Sequence, residues 1–237
     1  MRNFTGKTGI RVKIARAVFA IINPIISRAF NIVLCATMFN IGRKRGGGLY
    51  SYDYIRASSL ELIADEINNR KLDGCAAEVG VFQGDFAKNI NIVFPDRKLF
   101  LFDTFEGFSD KDIKIEDENN FSESVKKDFS AANIEMTLKK MKYPQNCIIK
   151  KGYFPDTAQG IDEKFVFVNI DVDLYLPIYN GLKFFYPRLQ KGGYIFVHDY
   201  NSTLFKGVKE AVKKYAKEND LSYFPLSDHP GTVVFMK

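Results

Sequence analysis

The chain has 237 residues, 46% of them hydrophobic and 26% charged, with a formal net charge of +6. That composition suits one large α/β domain with an appendage and excludes a disordered or low-complexity chain. The cysteines, Cys35, Cys75 and Cys147, are odd in number and widely spaced, which argues against a disulfide framework or a zinc site and fits a reducing compartment.

The positive charge is confined to the start of the chain. Residues 1–48 hold nine Lys or Arg (Arg2, Lys7, Arg11, Lys13, Arg16, Arg28, Arg43, Lys44, Arg45) and no acid, which leaves 25 basic against 28 acidic residues in the remainder, a balance of −3. No nucleic-acid-binding face is expected on that remainder. Residues 17–42 are apolar apart from Arg28, with Pro24 and Arg28 as interruptions. The uncharged pieces 17–27 and 29–42 are each shorter than the ~20 residues a spanning helix needs. Arg28 would cost roughly 2.5–3.5 kcal/mol at a bilayer centre. One reading is a helical pair lying on an anionic membrane surface. A second is packing on the main domain or on another subunit. A third, a cleaved signal peptide, finds no convincing small-x-small site after the apolar stretch. The GRKRGGG run at 42–48 reads as a flexible joint, so the expected units are 1–48, a helical arm, and 49–237, the main domain.

From residue 53 the chain alternates. Residues 53–71 place Leu60, Ile63, Ala64 and Ile67 at helical spacing. CAAEVGV at 75–81 reads as a first buried strand, 84–94 as an amphipathic helix, and KLFLFDTF at 98–105 as a second strand. The acidic, aromatic stretch 109–131 reads as a loop or lid with a short helix. A helix at 133–141, a third strand at 146–154, a fourth at 164–173 and a helix at 175–190 follow. Two glycines open a fifth strand at 192–200, a basic amphipathic helix covers 204–219, and LSYFPL and GTVVFMK close the chain as two strands. This order predicts a mostly parallel seven-stranded sheet covered on both faces and ending in an antiparallel hairpin. Such an ending suits class I methyltransferases better than dinucleotide dehydrogenases. Ligands of these sheets bind beyond the carboxyl ends of the strands, at the switch in strand order.

The first such end reads Glu78-Val79-Gly80-Val81-Phe82-Gln83-Gly84, and Asp103 ends the second strand 23 residues after Gly80. In dinucleotide-type folds that spacing sets a carboxylate on ribose hydroxyls. Phe82 stands where a phosphate-cradling loop needs glycine, so a donor without pyrophosphate, such as S-adenosylmethionine, is expected. The fourth strand ends Asp171-Val172-Asp173 and the fifth His198-Asp199-Tyr200. Asp171 and Asp199, with His198 or Asp173, could bind a hard cation: magnesium, with manganese admitted by the imidazole. Asp171 or His198 could then take a proton from an acceptor hydroxyl. Against this, Asp173 could simply cap the next helix, and His198 could be a structural hydrogen-bonding residue.

The segments EVGVFQG, LFDTFEGF, GYFPDT, NIDVDLYLPIYNGLKFFYPRL and GGYIFVHDY followed by GVKEAV, taken in order, resemble the macrocin O-methyltransferase family of class I methyltransferases, with relatives in bacterial sugar and polysaccharide gene clusters. The resemblance implies a Rossmann-like O-methyltransferase using S-adenosylmethionine and Mg2+ on a sugar or glycan hydroxyl. It implies that Glu78, Gly80, Phe82 and Gly84 line the methionine end and that Asp103, Thr104 and Phe105 lie at the ribose. Gly152, Tyr153, Phe154 and segment 109–130 would border cofactor or substrate. Asp171 would be base and metal ligand, with His198 and Asp199 completing the site, although the family often has Asp where this chain has His198. A cytoplasmic homo-oligomer is expected, with the arm at the inner face of the membrane on the membrane reading. A small-phenol or catechol O-methyltransferase and a non-catalytic membrane-associated assembly subunit are the competing readings.

Overall fold

A computed structural model describes residues 10–30 and 53–237. The chain divides into two compact units, residues 1–45 and 46–237. In the first, helix α1 (Ile10–Phe30) runs through both expected interruptions. Pro24 forfeits one backbone N–H bond there, less than the cost of stopping a helix and nucleating another. The Ser27 hydroxyl donates to the Pro24 carbonyl at 3.5 Å. Most of the expected second apolar piece, the glycine joint and Cys35 lie outside the described residues. Among the described residues no helix is long and apolar enough to cross a membrane.

The second unit is a seven-stranded sheet in the order β3-β2-β1-β4-β5-β7-β6. Its strands are β1 (Cys75–Val79), β2 (Leu99–Asp103), β3 (Cys147–Lys151), β4 (Phe165–Ile170), β5 (Leu189–Val197), β6 (Phe224–Pro225) and β7 (Val233–Met236). β1 to β5 pair in parallel, and β7 lies antiparallel between β5 and β6. The helices are α2 (Tyr54–Asn69), α3 (Ala87–Val93), α4 (Asp110–Asn119), α5 (Ile134–Lys140), α6 (Tyr175–Arg188) and α7 (Lys206–Glu218). The expected fold class stands. Several strands differ in extent: β3 stops before Gly152, which sits at φ 132°, β4 ends at Ile170 rather than 173, β5 begins at Leu189 and runs through both of its glycines, and β6 is only two residues of the expected six.

Both faces of the sheet are buried, as a parallel sheet requires. Alternation along β2 sends Phe100 and Phe102 to one face, against Phe165 and Phe185, while Leu99 and Leu101 go to the other, with Leu60, Ile67 and Ile90. A register shift in β4 between Phe165 and Phe167 re-aims the strand. Leu60, Ala64 and Ile67 bury the expected face of α2.

Candidate active site

The sheet reverses order between β1 and β4, and a cleft of about 510 Å³ opens over the carboxyl ends there. Glu78, Gly80, Phe82, Asp103, Thr104, Gly152, Tyr153, Phe154, Asp171, His198 and Asp199 all line it. Two residues expected at the cofactor do not. Gly84, at φ 81°, packs its backbone against Thr137 and Met141, and the buried Phe105 lies outside the lining.

Gly80 sits at φ 83°, and its N–H donates to the Phe102 carbonyl at 2.9 Å. A Cβ there would overlap the Asp171 carbonyl oxygen. Only glycine lets the tips of β1 and β4 come this close. Asp103 braces the same turn. Its Oδ2 accepts the N–H groups of Val81 and Phe82 at 2.7 and 2.8 Å, and its Oδ1 accepts that of Phe105 at 2.6 Å. These bonds hold Phe82 and Phe105 at φ 48° and 55°, where non-glycine residues are uncommon. Phe82 packs edge-on to Phe129, which also meets Phe108, so aromatic residues from both flanks of the expected lid reach the cleft.

Glu78 is buried at 1% exposure. Asn169 donates to its Oε1 at 2.8 Å, while Oε2 has no partner. Burial, with Asp171 nearby, raises its pKa well above the usual carboxylate value. A buried acid with one unsatisfied oxygen in a cleft is costly without a ligand donor. It suits a cationic amino group.

The second cluster stands at the ends of β4 and β5. His198 Nδ1 lies 3.0 Å from Asp171 Oδ1 and 2.7 Å from Asp199 Oδ2. The remaining Asp171 oxygen accepts from Arg56 Nη2 at 2.6 Å, and the Arg56 guanidinium stacks 3.8 Å over the Phe86 ring. Burial alone would raise the Asp171 pKa, but Arg56 and His198 overcome it and hold the group far below the carboxylate range. Burial works against the His198 cation, yet Asp171 raises its pKa to about 10. His198 Nε2 points to the His229 carbonyl at 3.3 Å, a contact that fixes the ring and leaves Nδ1 to face the carboxylates. Asp173 is not the cap of α6. Leu174 holds that position without a side-chain bond, and Glu116 of α4 accepts the Tyr175 N–H at 2.8 Å instead. Asp173 sits at φ 60°, and burial, with Asp199 and Asp171 nearby, raises its pKa well above the usual carboxylate range.

The donor set fits a divalent cation. Asp171, His198 and Asp199 each offer one atom, all within 4.8 Å of one another. The separations of 3.0 and 2.7 Å approach adjacent corners of an octahedron with bonds of about 2.1 Å.

Arg56 was not legible as a site residue, though a signal existed. It falls at i, i+4, i+8 and i+11 with Leu60, Ala64 and Ile67, a cation on an apolar stripe. Asp53 and His229 also line the cleft unforeseen, and Asp112 lines it from within the segment expected there. Asp112 accepts from the Tyr153 hydroxyl at 2.9 Å, and burial pushes its pKa up to about 6. Replacing Arg56 by Met should destabilise the fold by about 3 kcal/mol, because Asp171 Oδ2 would lose its 2.6 Å partner and the largely buried carboxylate would keep only His198. Thermal unfolding should show a Tm fall on the order of 10 °C; an unchanged Tm would mean that the ion pair contributes nothing to stability.

The strand order, the antiparallel seventh strand and the cleft at the β1–β4 switch define a class I S-adenosylmethionine-dependent methyltransferase. The chain belongs to the macrocin O-methyltransferase family, whose sequence model matches residues 53–237, and is an S-adenosylmethionine-dependent O-methyltransferase. It is 26% identical over 180 residues to the mycinamicin III 3''-O-methyltransferase of Micromonospora griseorubida, covering 70% of each chain. Among solved structures, the O-methyltransferase NovP shares the fold at a TM-score of 0.63 and 19% identity, over 78% of this chain and 80% of that one. The calicheamicin methyltransferase CalS11 does so at 0.63 and 18%, over 76% and 78%.

Proposed function

We propose that this enzyme methylates a hydroxyl of a sugar or glycan with the help of a divalent cation. The observation that carries the reading is the polarity of one end of the cleft. Asp53, Asp171, Asp173, His198, Asp199 and His229 line it together. A polyhydroxylated acceptor can satisfy such a wall, whereas a flat phenol would leave most of it unpaired. The mycinamicin relative, named for a 3''-oxygen, supports the same class of acceptor.

S-adenosylmethionine supplies an electrophilic methyl group on a sulfonium. Glu78 Oε2 would take its amino group, and Gly80 would let the backbone pass close. Asp103, already bound to three backbone N–H groups, keeps acceptor capacity for a ribose hydroxyl. Phe82, Tyr153 and Phe154 would enclose the remainder and exclude water. A cation held by Asp171 Oδ1, Asp199 Oδ2 and, once it has displaced the proton that His198 shares with them, His198 Nδ1 would be Mg2+ or, given the nitrogen donor, Mn2+, and would supply charge that acidifies the hydroxyl. Arg56 fixes Asp171 through Oδ2, which leaves Oδ1 on the His198 side, where the cation and the acceptor hydroxyl would meet it. A carboxylate held at so low a pKa takes a proton only from a hydroxyl already acidified at that position. In-line placement of that oxygen against the methyl group supplies much of the remaining rate.

The test is transfer of labelled methyl from S-adenosylmethionine to a panel of nucleotide-linked deoxysugars, glycosides and catechols, with Mg2+, with Mn2+ or with chelator. Label should enter a saccharide and fall at least about tenfold with chelator. Label entering only catechols would overturn the acceptor class. Undiminished transfer in chelator would overturn the cation's role.

A further inference from the structure

The catalytic reading leaves the arm unexplained. On α1, Ile14, Val18, Ile21 and Ile25 follow one another at spacings of four, three and four, a single helical stripe. They are 58, 41, 71 and 66% exposed, and Phe30 at the end of the helix is 70% exposed. Among the described residues of the second unit, the exposed large hydrophobics include no such run at helical spacing. A contiguous apolar patch of this kind marks a docking surface.

Charge selects the occupant. The helix carries Arg11, Lys13, Arg16 and Arg28 with no acid, and residues 1–48 hold nine cations in all. A second copy seated on the stripe would bring an equally cationic arm against the first. A polyanion without an apolar layer would leave the isoleucines in water. Four cations in 21 residues also suit a helix lying in an interface rather than crossing it. We propose that α1 docks on an anionic lipid bilayer, lying in the headgroup layer with the Ile14–Val18–Ile21–Ile25 stripe toward the acyl chains and the exposed Arg28, three residues further along the same stripe, reaching back to the phospholipid headgroups. This proposal does not rest on the acceptor assignment, and its test reads lipid binding rather than methyl transfer.

The full chain is floated with vesicles of phosphatidylcholine alone or with about a third phosphatidylglycerol, beside an Ile21→Glu/Ile25→Glu variant. The wild-type chain should be recovered with anionic vesicles at least about tenfold more than with neutral ones, and the variant should lose at least about tenfold of that recovery. Calorimetric S-adenosylmethionine binding should be the same in both proteins, which separates a docking defect from misfolding. Absence of the wild-type chain from anionic vesicles would overturn the proposal, as would equal recovery of the variant. A shift from dimer to monomer in the variant by light scattering, with neither protein binding vesicles, would assign the stripe to a subunit seam instead.

Discussion

Asp171→Asn should lower kcat by about 10³-fold, a barrier increase of about 4 kcal/mol, while S-adenosylmethionine affinity changes less than about threefold. The side chain keeps its volume, so packing at the β4 tip is preserved. Three functions are lost together. Asn cannot accept a proton at neutral pH, it is a weaker ligand for a hard cation, and it no longer balances Arg56 and His198, which lie 2.6 and 3.0 Å away. Asp171 has no hydrogen bond to Glu78 or Asp103, where the cofactor is proposed to bind, and loss of its charge would ease the ionisation of Glu78 rather than oppose it. Steady-state kinetics with calorimetry of cofactor binding checks the split. Loss of cofactor affinity in parallel with kcat would show that Asp171 works by shaping the cofactor half of the cleft.

Gly80→Ala should abolish measurable cofactor binding, a loss of at least about 100-fold, and destabilise the fold by about 3 kcal/mol. Left-handed backbone costs a residue with a Cβ only about 1–2 kcal/mol. The larger part comes from the overlap with the Asp171 carbonyl, a backbone atom that cannot swing aside. Moving it would disturb the Asp171 N–H bond to Val79, at 2.8 Å, and so both halves of the cleft. Gly160 provides the control. It has a comparable φ of 77°, but a Cβ there meets nothing within 4 Å. Gly160→Ala should therefore cost about 1 kcal/mol and leave binding intact. Equal Tm losses in the two variants, by thermal unfolding, would remove close approach as the explanation.

The parts of the site legible in the sequence are those that local spacing dictates. Glu78, Gly80, Asp103, Asp171, His198 and Asp199 end buried parallel strands, and strand ends on one side of such a sheet must meet. What was not legible depends on partners distant in sequence. Arg56 looks like one more charge on a helix until Asp171, 115 residues away, supplies its partner. Asp173 has the residue type and place of a cap, but Glu116 took the N–H from across the fold. Asp103 was expected to wait for ribose and instead also holds its own loop together. Pro24 was read as a break because propensity is local, whereas helix continuation is cooperative.

The Glu116 contact has a consequence for how the cleft could change in evolution. One oxygen of Glu116 receives the start of α6, the other receives Ser122, and Phe121 accepts the Lys206 N–H at 3.0 Å. The stretch from α4 to Phe121 is thereby stitched to the helices that follow the catalytic strands. The next residues, up to Ser130, are mostly exposed, and Phe129 still reaches the cleft. Insertions or swaps between Ser122 and Ser130 would redraw the rim that greets an incoming acceptor without loosening the stitched helices. Two ties limit that freedom: the Lys126 carbonyl receives the Phe108 N–H at 3.1 Å, and Phe129 packs on Phe82, so a retargeted rim would have to keep both.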